Sequence, residues 1–228
     1  MNDCERIRRP VTVADFRMAE CAGRGLVIVI DDDEEILQAL TGLIRMEGYS
    51  CEHYGSATEF LAAATQVSSR FPGPVCVLCD VRMPEVDGLA LQQRLAEAGD
   101  PPLVLMSGNS GAAETVRAFR AGVIDFLLKP IEDDLLFTAL EKALAVSRER
   151  QQTASKAADA ADRVAQLTAR EYEIIRLVSQ GLINRDIAER LGIAVRTVKL
   201  HRQRAMEKLN VHGMVDLVRL NPLDQSGR

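Results

Sequence analysis

The sequence predicts an α/β protein, in which a doubly wound, five-stranded parallel sheet is followed by a second, smaller all-α domain. Between residues 26 and 147, five short strand candidates alternate with five helical patterns, and this alternation is typical of an open parallel sheet. Three of the candidates, at 26–30, 75–79 and 103–107, are apolar up to their last residue, as expected for strands that are buried on both faces. Beyond residue 162 the apolar residues recur only at helical spacing.

The strands and helices of the α/β part follow from these runs and from the residues that interrupt them. The predicted strands are residues 26–30, 50–55, 75–79, 103–107 and 125–128. The predicted helices are residues 34–47, 58–65, 89–98, 112–121 and 133–147. Gly48, Gly99 and Gly122 follow three of the helices, where glycine favours a C-terminal stop. Asp33 is predicted to cap the first helix, because its carboxylate can accept from free backbone amides.

The rest of the chain divides into an extension, a linker and a helical domain. Residues 1–25 are polar and are expected to be a largely disordered extension. Residues 148–162 are rich in Ala, Gln and charged residues. They are predicted to be a linker, with a helical continuation of the preceding helix as the alternative. The helical domain spans 163–228, with predicted helices at 169–180, 184–191, 195–209 and 214–220.

Charge separates the two domains. Residues 163–228 contain 12 Lys+Arg and 7 Asp+Glu, whereas residues 1–162 contain 16 Lys+Arg and 26 Asp+Glu. An acidic body joined to a basic domain indicates two different partners, and nucleic acid is the partner expected for the basic domain.

Membrane and disulfide chemistry are not expected. The longest apolar run near the start, 26–30, is far shorter than the ~20 residues that span a bilayer, so we expect a cytoplasmic protein without membrane contact. The five cysteines are irregularly spaced. Cys76 and Cys79 are three residues apart on a strand and therefore on opposite faces, too far apart for a disulfide. Small buried thiols in a reducing compartment are the simplest interpretation.

Polar side chains of complementary types are predicted to gather at one edge of the sheet. Asp31 and Asp32 follow the first strand, Asp80 follows the third, Ser107 ends the fourth, and Lys129 follows the fifth. Ligands of parallel sheets bind outside the carboxyl ends of the strands. Clustered carboxylates with hard oxygen atoms favour Mg²⁺. Carboxylates, a hydroxyl and an ammonium together suit the receipt of a phosphoryl group, with an aspartate as nucleophile.

Residues 26–145 resemble the CheY-like receiver domain of two-component response regulators. The matching segments are "DDD" after the first strand, "CDVRMPEVDG" after the third, "MSG" after the fourth and "DFLLKP" at the fifth. Together and in this order they are specific. The resemblance implies that Asp80 is the phosphoacceptor. The implied Mg²⁺ ligands are Asp31, Asp32, Asp80 and the backbone carbonyl of Arg82. The implied phosphoryl contacts and switch residues are Ser107, Lys129 and Phe126, and for Phe126 the alternative is core packing alone.

The helical domain resembles the LuxR-type helix-turn-helix of the FixJ and NarL response regulators, with a layout closer to FixJ. The matching segments are "LTARE", "GLINRDIA" and "RTVKLHR". Carried over by position, the groove-facing residues are Lys199, Leu200 and Gln203. The implied phosphate contacts are Arg196, Thr197, Arg202 and Arg204. The sequence departs from the family at Ala194 and Val195, where a serine commonly caps the helix. A merely solvated cationic helix is the alternative to a DNA-binding one.

The two resemblances imply a response regulator rather than an enzyme. A sensor histidine kinase would phosphorylate Asp80 in the presence of Mg²⁺. The receiver face around "RAFRAGVIDFLL" would then form a homodimer. The dimer would bind promoter DNA and regulate transcription, with activation and contact to RNA polymerase expected.

Two other classes remain open at this point. One is a phosphatase-type hydrolase that forms an aspartyl phosphate. Such enzymes usually carry a general-acid aspartate two residues after the nucleophile, where this chain has Arg82. The other is a phosphate-independent DNA-binding regulator with a vestigial pocket, which the complete set of rim residues disfavours.

Overall fold

The computed structural model describes residues 24–98, 101–108, 111–211, 213 and 216–217. The described chain divides into two compact units, with the boundary between Arg150 and Gln151. Nearly all of the predicted extension at 1–25, and most of the predicted helix at 214–220, lie outside the described residues.

The first unit contains a five-stranded parallel sheet with the strand order β2-β1-β3-β4-β5. The strands are β1 Leu26–Ile30, β2 Ser50–Tyr54, β3 Val75–Asp80, β4 Leu103–Ser107 and β5 Asp125–Leu128. Strands β1, β3 and β4 are buried along their whole length, as their continuously apolar sequences predicted. The carboxyl ends of β1, β3, β4 and β5 therefore lie side by side.

The helices of this unit are α1 Glu34–Met46, α2 Ala57–Arg70, α3 Gly88–Ala98, α4 Ala112–Arg120 and α5 Asp133–Ala165. The predicted cap of α1 is confirmed, since Asp33 accepts hydrogen bonds from the amides of Glu35 and Ile36. The prediction for α2 was wrong at its end, because the helix continues five residues beyond Thr65. The added residues are mostly polar, and apolar periodicity carries no signal there.

Two apolar cores cover the two faces of the sheet, because successive strand residues point to opposite sides. One core contains Ile28, Leu105 and side chains of α2, α3 and α4. The other contains Val29, Met106 and side chains of α1 and α5. The doubly wound arrangement predicted from the sequence is therefore confirmed.

The described cysteines are free thiols within these cores. Cys51 and Cys76 lie in one core and Cys79 in the other. Cys51 and Cys76 both pair in register with Val27, so they are two strand spacings or about 9–10 Å apart, beyond the reach of a disulfide. Burial raises the pKa of Cys51 to about 11 and holds the pKa of Cys79 well above 9.0. These thiols are therefore protonated and unreactive.

The second unit is helical. It comprises the end of α5 followed by α6 Ala169–Ser179, α7 Asn184–Leu191 and α8 Val195–Leu209. Its core joins α6, α7 and α8 through residues that include Ile175, Ile187 and Val198. Gly192 follows α7 with a φ of 62°, in the left-handed region that glycine tolerates best.

Helix α5 is continuous across the boundary between the two units. The segment 148–162 is therefore helical, which is the alternative form considered for the predicted linker. Among the described helices, none is both long enough and apolar enough to cross a lipid bilayer.

Candidate functional site: a carboxylate–ammonium cluster and an exposed helix face

The carboxyl edge of the sheet brings together four of the predicted site residues. Asp31 directly follows β1, Asp80 is the last residue of β3, Ser107 is the last of β4, and Lys129 directly follows β5. Asp31, Asp80 and Ser107 are 1%, 7% and 1% exposed. Such burial is costly for carboxylates unless they are paired.

Lys129 is the partner that both carboxylates share. Its Nζ lies 2.6 Å from Asp31 Oδ2 and 2.6 Å from Asp80 Oδ1. Burial lowers the pKa of Lys129, but its hydrogen bonds to the two carboxylates outweigh burial and raise the pKa above 10.5. Lys129 is therefore a fixed positive charge at neutral pH, and any anion added to Asp80 would form beside it.

Backbone contacts hold the two carboxylates in place. Asp31 Oδ1 accepts from the amide of Asp33 at 3.0 Å. Asp80 Oδ2 accepts from the amide of Arg82 at 2.6 Å. The Arg82 backbone is therefore beside Asp80, as predicted, although the observed contact is made by its amide; its carbonyl as a metal ligand stays a prediction.

The loop after Asp80 folds back closely upon it. The amide of Gly88 donates to the Val81 carbonyl at 3.0 Å. A Cβ atom at Gly88 would lie 2.6 Å from the Asp80 carbonyl oxygen and 2.7 Å from Leu105 Cδ2. No real side chain fits at those distances, so glycine is required here by the close approach of two backbone segments.

Ser107 supplies a buried hydroxyl that lacks a hydrogen-bond partner within the described chain. Its backbone carbonyl is occupied, since it accepts from the Lys129 amide at 2.8 Å. An unpaired buried hydroxyl costs roughly 1–3 kcal/mol. A ligand oxygen that accepts from Ser107 Oγ would recover part of this cost.

Phe126 lies on the edge strand β5, where it is half-buried and packs against the core that contains Ile28. Leu128 on the same strand is 60% exposed, and Val116 and Phe119 on α4 are each 49% exposed. These three exposed apolar side chains, Val116, Phe119 and Leu128, are called the α4–β5 patch below.

The second unit presents one exposed face of α8. At 3.6 residues per turn, the exposed side chains of Arg196, Lys199, Leu200 and Gln203 fall on one side of the helix, opposite the buried Val198. By helical position, Thr197 and Arg204 lie toward one edge of this face and Arg202 toward the other. Arg196, predicted as a phosphate contact, lies on the same side of α8 as Lys199, Leu200 and Gln203, and its role stays a prediction.

Hydrogen bonds order two of the side chains on or beside the exposed face of α8. Arg202 donates to Asn184 Oδ1 at 3.0 Å, which links α8 to the start of α7. Gln203 Nε2 donates to Glu207 Oε1 at 2.9 Å, one turn further along α8. A cleft of about 520 Å³ borders this side of α8, lined in part by Lys199 and Met206.

Comparison with known proteins identifies a family for each of the two units. The family profile "Response regulator receiver domain" matches residues 27–141, and the profile "Bacterial regulatory proteins, luxR family" matches residues 165–221. The transcriptional regulatory protein FixJ of Bradyrhizobium diazoefficiens is 34% identical over 198 residues, which cover 86% of this chain and 94% of FixJ. The chain belongs to the FixJ-type response regulators. Its two domains place it in transcription regulation and imply a sensor kinase and DNA as partners.

Other relatives of this response regulator extend over the same length. The response regulator protein TmoT of Ectopseudomonas mendocina is 35% identical, covering 86% of this chain and 87% of TmoT. The solved structure of the response regulator StyR is 36% identical with a TM-score of 0.73, covering 86% of this chain and 98% of StyR. Full-length FixJ from B. japonicum is 34% identical with a TM-score of 0.53, covering 86% of this chain and 95% of that structure.

The donor set of the receiver domain fits a hard divalent cation with few protein ligands. Asp31 and Asp80 each direct a carboxylate oxygen toward Lys129 Nζ. A metal cation close to this ammonium would therefore have both carboxylates available as ligands. Asp32, also predicted as a ligand, is exposed, and within the described ranges no three His, Cys, Asp or Glu side chains are grouped to hold a metal. Mg²⁺ suits such a site because it retains several water ligands.

Sequence reasoning missed three contacts of this response regulator. The first is the capping box of α6, in which Thr168 Oγ1 accepts from the Glu171 amide and Glu171 accepts from the Thr168 amide. The S/T-x-x-E spacing in "TARE" could have predicted it. The second is Glu171 paired with Lys208 at 2.6 Å. The third is the approach at Gly88. No local sequence pattern signals the last two. Glu171 and Lys208 are far apart in the sequence, and the approach at Gly88 arises only when the loop after Asp80 folds back.

Proposed function

We propose that this response regulator is phosphorylated on Asp80 by a sensor histidine kinase, dimerises through its receiver domain and binds promoter DNA to activate transcription. The observation that carries this proposal is the shared bonding of Lys129 to two buried carboxylates, one of which ends a core strand. A buried carboxylate at a strand tip is costly to keep. A fixed ammonium beside it suits a residue that must take up further negative charge.

The proposed chemistry is transfer of a phosphoryl group from a phosphohistidine to an Asp80 carboxylate oxygen. The new P–O bond forms as the P–N bond of the donor breaks, and the histidine leaves with the electron pair. Mg²⁺, held by Asp32, Asp80 and the Arg82 carbonyl with Asp31 assisting, would supply charge neutralisation at the phosphoryl oxygens. Lys129 and the unpaired Ser107 hydroxyl would each contact a phosphoryl oxygen.

Phosphorylation would alter the α4–β5 side of the receiver. Drawing Ser107 and Lys129 toward the phosphoryl group pulls on the ends of β4 and β5, which pair in parallel through Ser107 and Leu128. Phe126 lies on β5 between this end and the core, so its rotamer would change with the strand. The α4–β5 patch would then pair with its copy on a second chain, an isologous arrangement in which each patch meets the other.

Dimerisation would bring two copies of α8 to the half-sites of a promoter. The proposed groove-facing residues are Lys199, Leu200 and Gln203, and the proposed phosphate contacts are Arg196, Thr197, Arg202 and Arg204. Basic residues here neutralise phosphates, so affinity would fall steeply with salt. Contact with RNA polymerase would complete activation.

The test is phosphorylation with a small acyl phosphate in the presence and absence of Mg²⁺, on the wild type and on Asp80→Asn. We expect one stable, Mg²⁺-dependent phosphoryl adduct in the wild type and none in the variant, by intact-protein mass spectrometry. Rapid continuous release of phosphate would favour a hydrolase instead. The absence of an adduct in both proteins would favour a vestigial pocket.

A further inference from the structure

The side chains of Gln203 and Glu207 form a pair on the exposed face of α8. Both are exposed, and Gln203 Nε2 donates to Glu207 Oε1 at 2.9 Å. A carboxylate has only acceptor oxygens. The Glu207 carboxylate can therefore accept a hydrogen bond from Gln203 Nε2 but cannot bond to Gln203 Oε1. This bond determines the orientation of the Gln203 amide group.

The remaining hydrogen-bonding groups of Gln203 form a donor–acceptor pair. The amide nitrogen carries two hydrogens, of which one is given to Glu207. The other hydrogen and Oε1 remain for a ligand, because the Gln203 side chain is exposed. In the major groove adenine offers an acceptor at N7 and a donor at N6, whereas guanine offers two acceptors, N7 and O6. The oriented amide matches adenine and opposes guanine with its carbonyl oxygen.

The neighbouring side chain favours the same base pair. Leu200 lies one turn before Gln203 on the same face and is 46% exposed. An exposed leucine on a groove-facing helix gains apolar contact with the methyl group of thymine. An A·T pair provides both the adenine edge for Gln203 and a methyl group for Leu200.

We propose that Glu207 is a positioning residue that fixes the Gln203 amide and thereby makes this regulator prefer adenine over guanine at one base pair of each half-site. This inference rests on the proposed DNA binding by α8. Glu207 itself is negatively charged and lies close to the phosphate-rich duplex, so we expect it to lower the total affinity for DNA. Its favourable effect is on the discrimination between adenine and guanine.

The experiment uses the full chain after treatment with a small acyl phosphate and Mg²⁺. Binding sites are first selected from a pool of random duplexes. Affinities are then measured for the selected site and for versions in which each A·T pair is replaced by G·C. The proteins are the wild type, Gln203→Ala, Glu207→Gln, and Glu189→Gln, which removes one negative charge from the exposed surface of α7.

We expect one replacement per half-site to weaken wild-type binding by about tenfold, as a good side-chain–base match does. Gln203→Ala removes this preference. Glu207→Gln reduces it by about twofold, to roughly fivefold, because a glutamine can bind either end of the Gln203 amide. Its affinity for the selected site is equal or tighter, because a negative charge beside the duplex is removed. Glu189→Gln keeps the full preference.

Three results would overturn the inference. Glu207→Gln could retain the full preference. It could weaken all duplexes by the same factor, as loss of a merely helix-stabilising contact would. Gln203→Ala could leave the preference intact. Failure of the wild type to select any sequence would instead overturn the proposed DNA-binding function, and the inference with it.

Discussion

At the scale of single residues, Glu171 shows how one carboxylate stabilises the DNA-binding unit. It is 3% exposed, completes the capping box of α6 and lies 2.6 Å from Lys208 on α8. The hydrogen bond from Lys208, followed by that from the Thr168 amide, lowers the pKa of Glu171 from 4.5 to about 2. The ionised form is therefore the one that the folded unit favours.

The pH dependence of this unit follows from the sign of that shift. Because the pKa is lower in the folded state, the contribution of Glu171 is complete above about pH 4.5 and is lost as the pH falls toward 2. We expect Glu171→Gln to lower the stability of the second unit by about 2 kcal/mol at pH 7, and by progressively less toward pH 2. Urea denaturation followed by circular dichroism over this pH range measures the difference.

The matched control is Glu173→Gln on the same helix, which removes a more exposed ion pair, with Arg170. Exposed pairs contribute at most about 1 kcal/mol, so this variant should resemble the wild type. A constant difference between Glu171→Gln and the wild type at every pH would contradict the assigned role of the Lys208 pair.

The positions of the residues in the carboxylate–ammonium cluster could be predicted where each residue ends or directly follows a strand. Asp31, Asp80, Ser107 and Lys129 each stand at the carboxyl end of an apolar run, and the rule that parallel strands share an edge brings them together. The need for glycine at 88 could not be predicted in this way, because it depends on how closely the backbone at 88 approaches the Asp80 carbonyl oxygen in the folded chain.

At the scale of elements, α8 begins without a capping side chain. Ala194 occupies the N-cap position with an extended backbone, φ −68° and ψ 144°, and its side chain offers no acceptor. We expect Ala194→Ser to stabilise the second unit by about 1 kcal/mol, because serine would accept from a free amide in the first turn. Chemical denaturation measures the gain.

The control for this substitution is Ala169→Ser at the first position of α6, where Thr168 already caps the helix. No gain is expected there. Equal stability of Ala194→Ser and the wild type would show that packing against the rest of the unit already satisfies the start of α8.

Element type was more predictable than element length. The strand cores match because four or five consecutive apolar residues can be buried only between two layers of helices. Helices α2 and α5 run further than predicted because helix extension adds one hydrogen bond per residue whether or not an apolar face is present. Residues 148–162 have no apolar stripe, so apolar periodicity alone does not predict that they are helical.

At the scale of the whole molecule, the α4–β5 patch is the surface on which signal and DNA binding would be linked. We expect Phe119→Glu to weaken dimerisation of the phosphorylated protein by about thirtyfold or more, because like charges would face each other across an isologous interface. Phosphorylation of Asp80 itself should be unchanged. Analytical ultracentrifugation measures the first quantity and mass spectrometry the second.

A suitable control is Met46→Glu, which places the same charge on another apolar side chain that is 86% exposed, at the end of α1. It should leave dimerisation intact. If Phe119→Glu dimerised as the wild type does, the α4–β5 patch would not be the interface, and pairing would have to use another surface.

The burial of the receiver-domain thiols determines how this regulator responds to oxidative stress. Cys76 and Cys79 are fully enclosed and Cys51 nearly so, on both sides of one sheet. Peroxide can meet them only in molecules that have lost the sheet. Sulfenic or sulfonic acid at these positions would thus be a chemical record of past unfolding rather than a signal received by the native regulator.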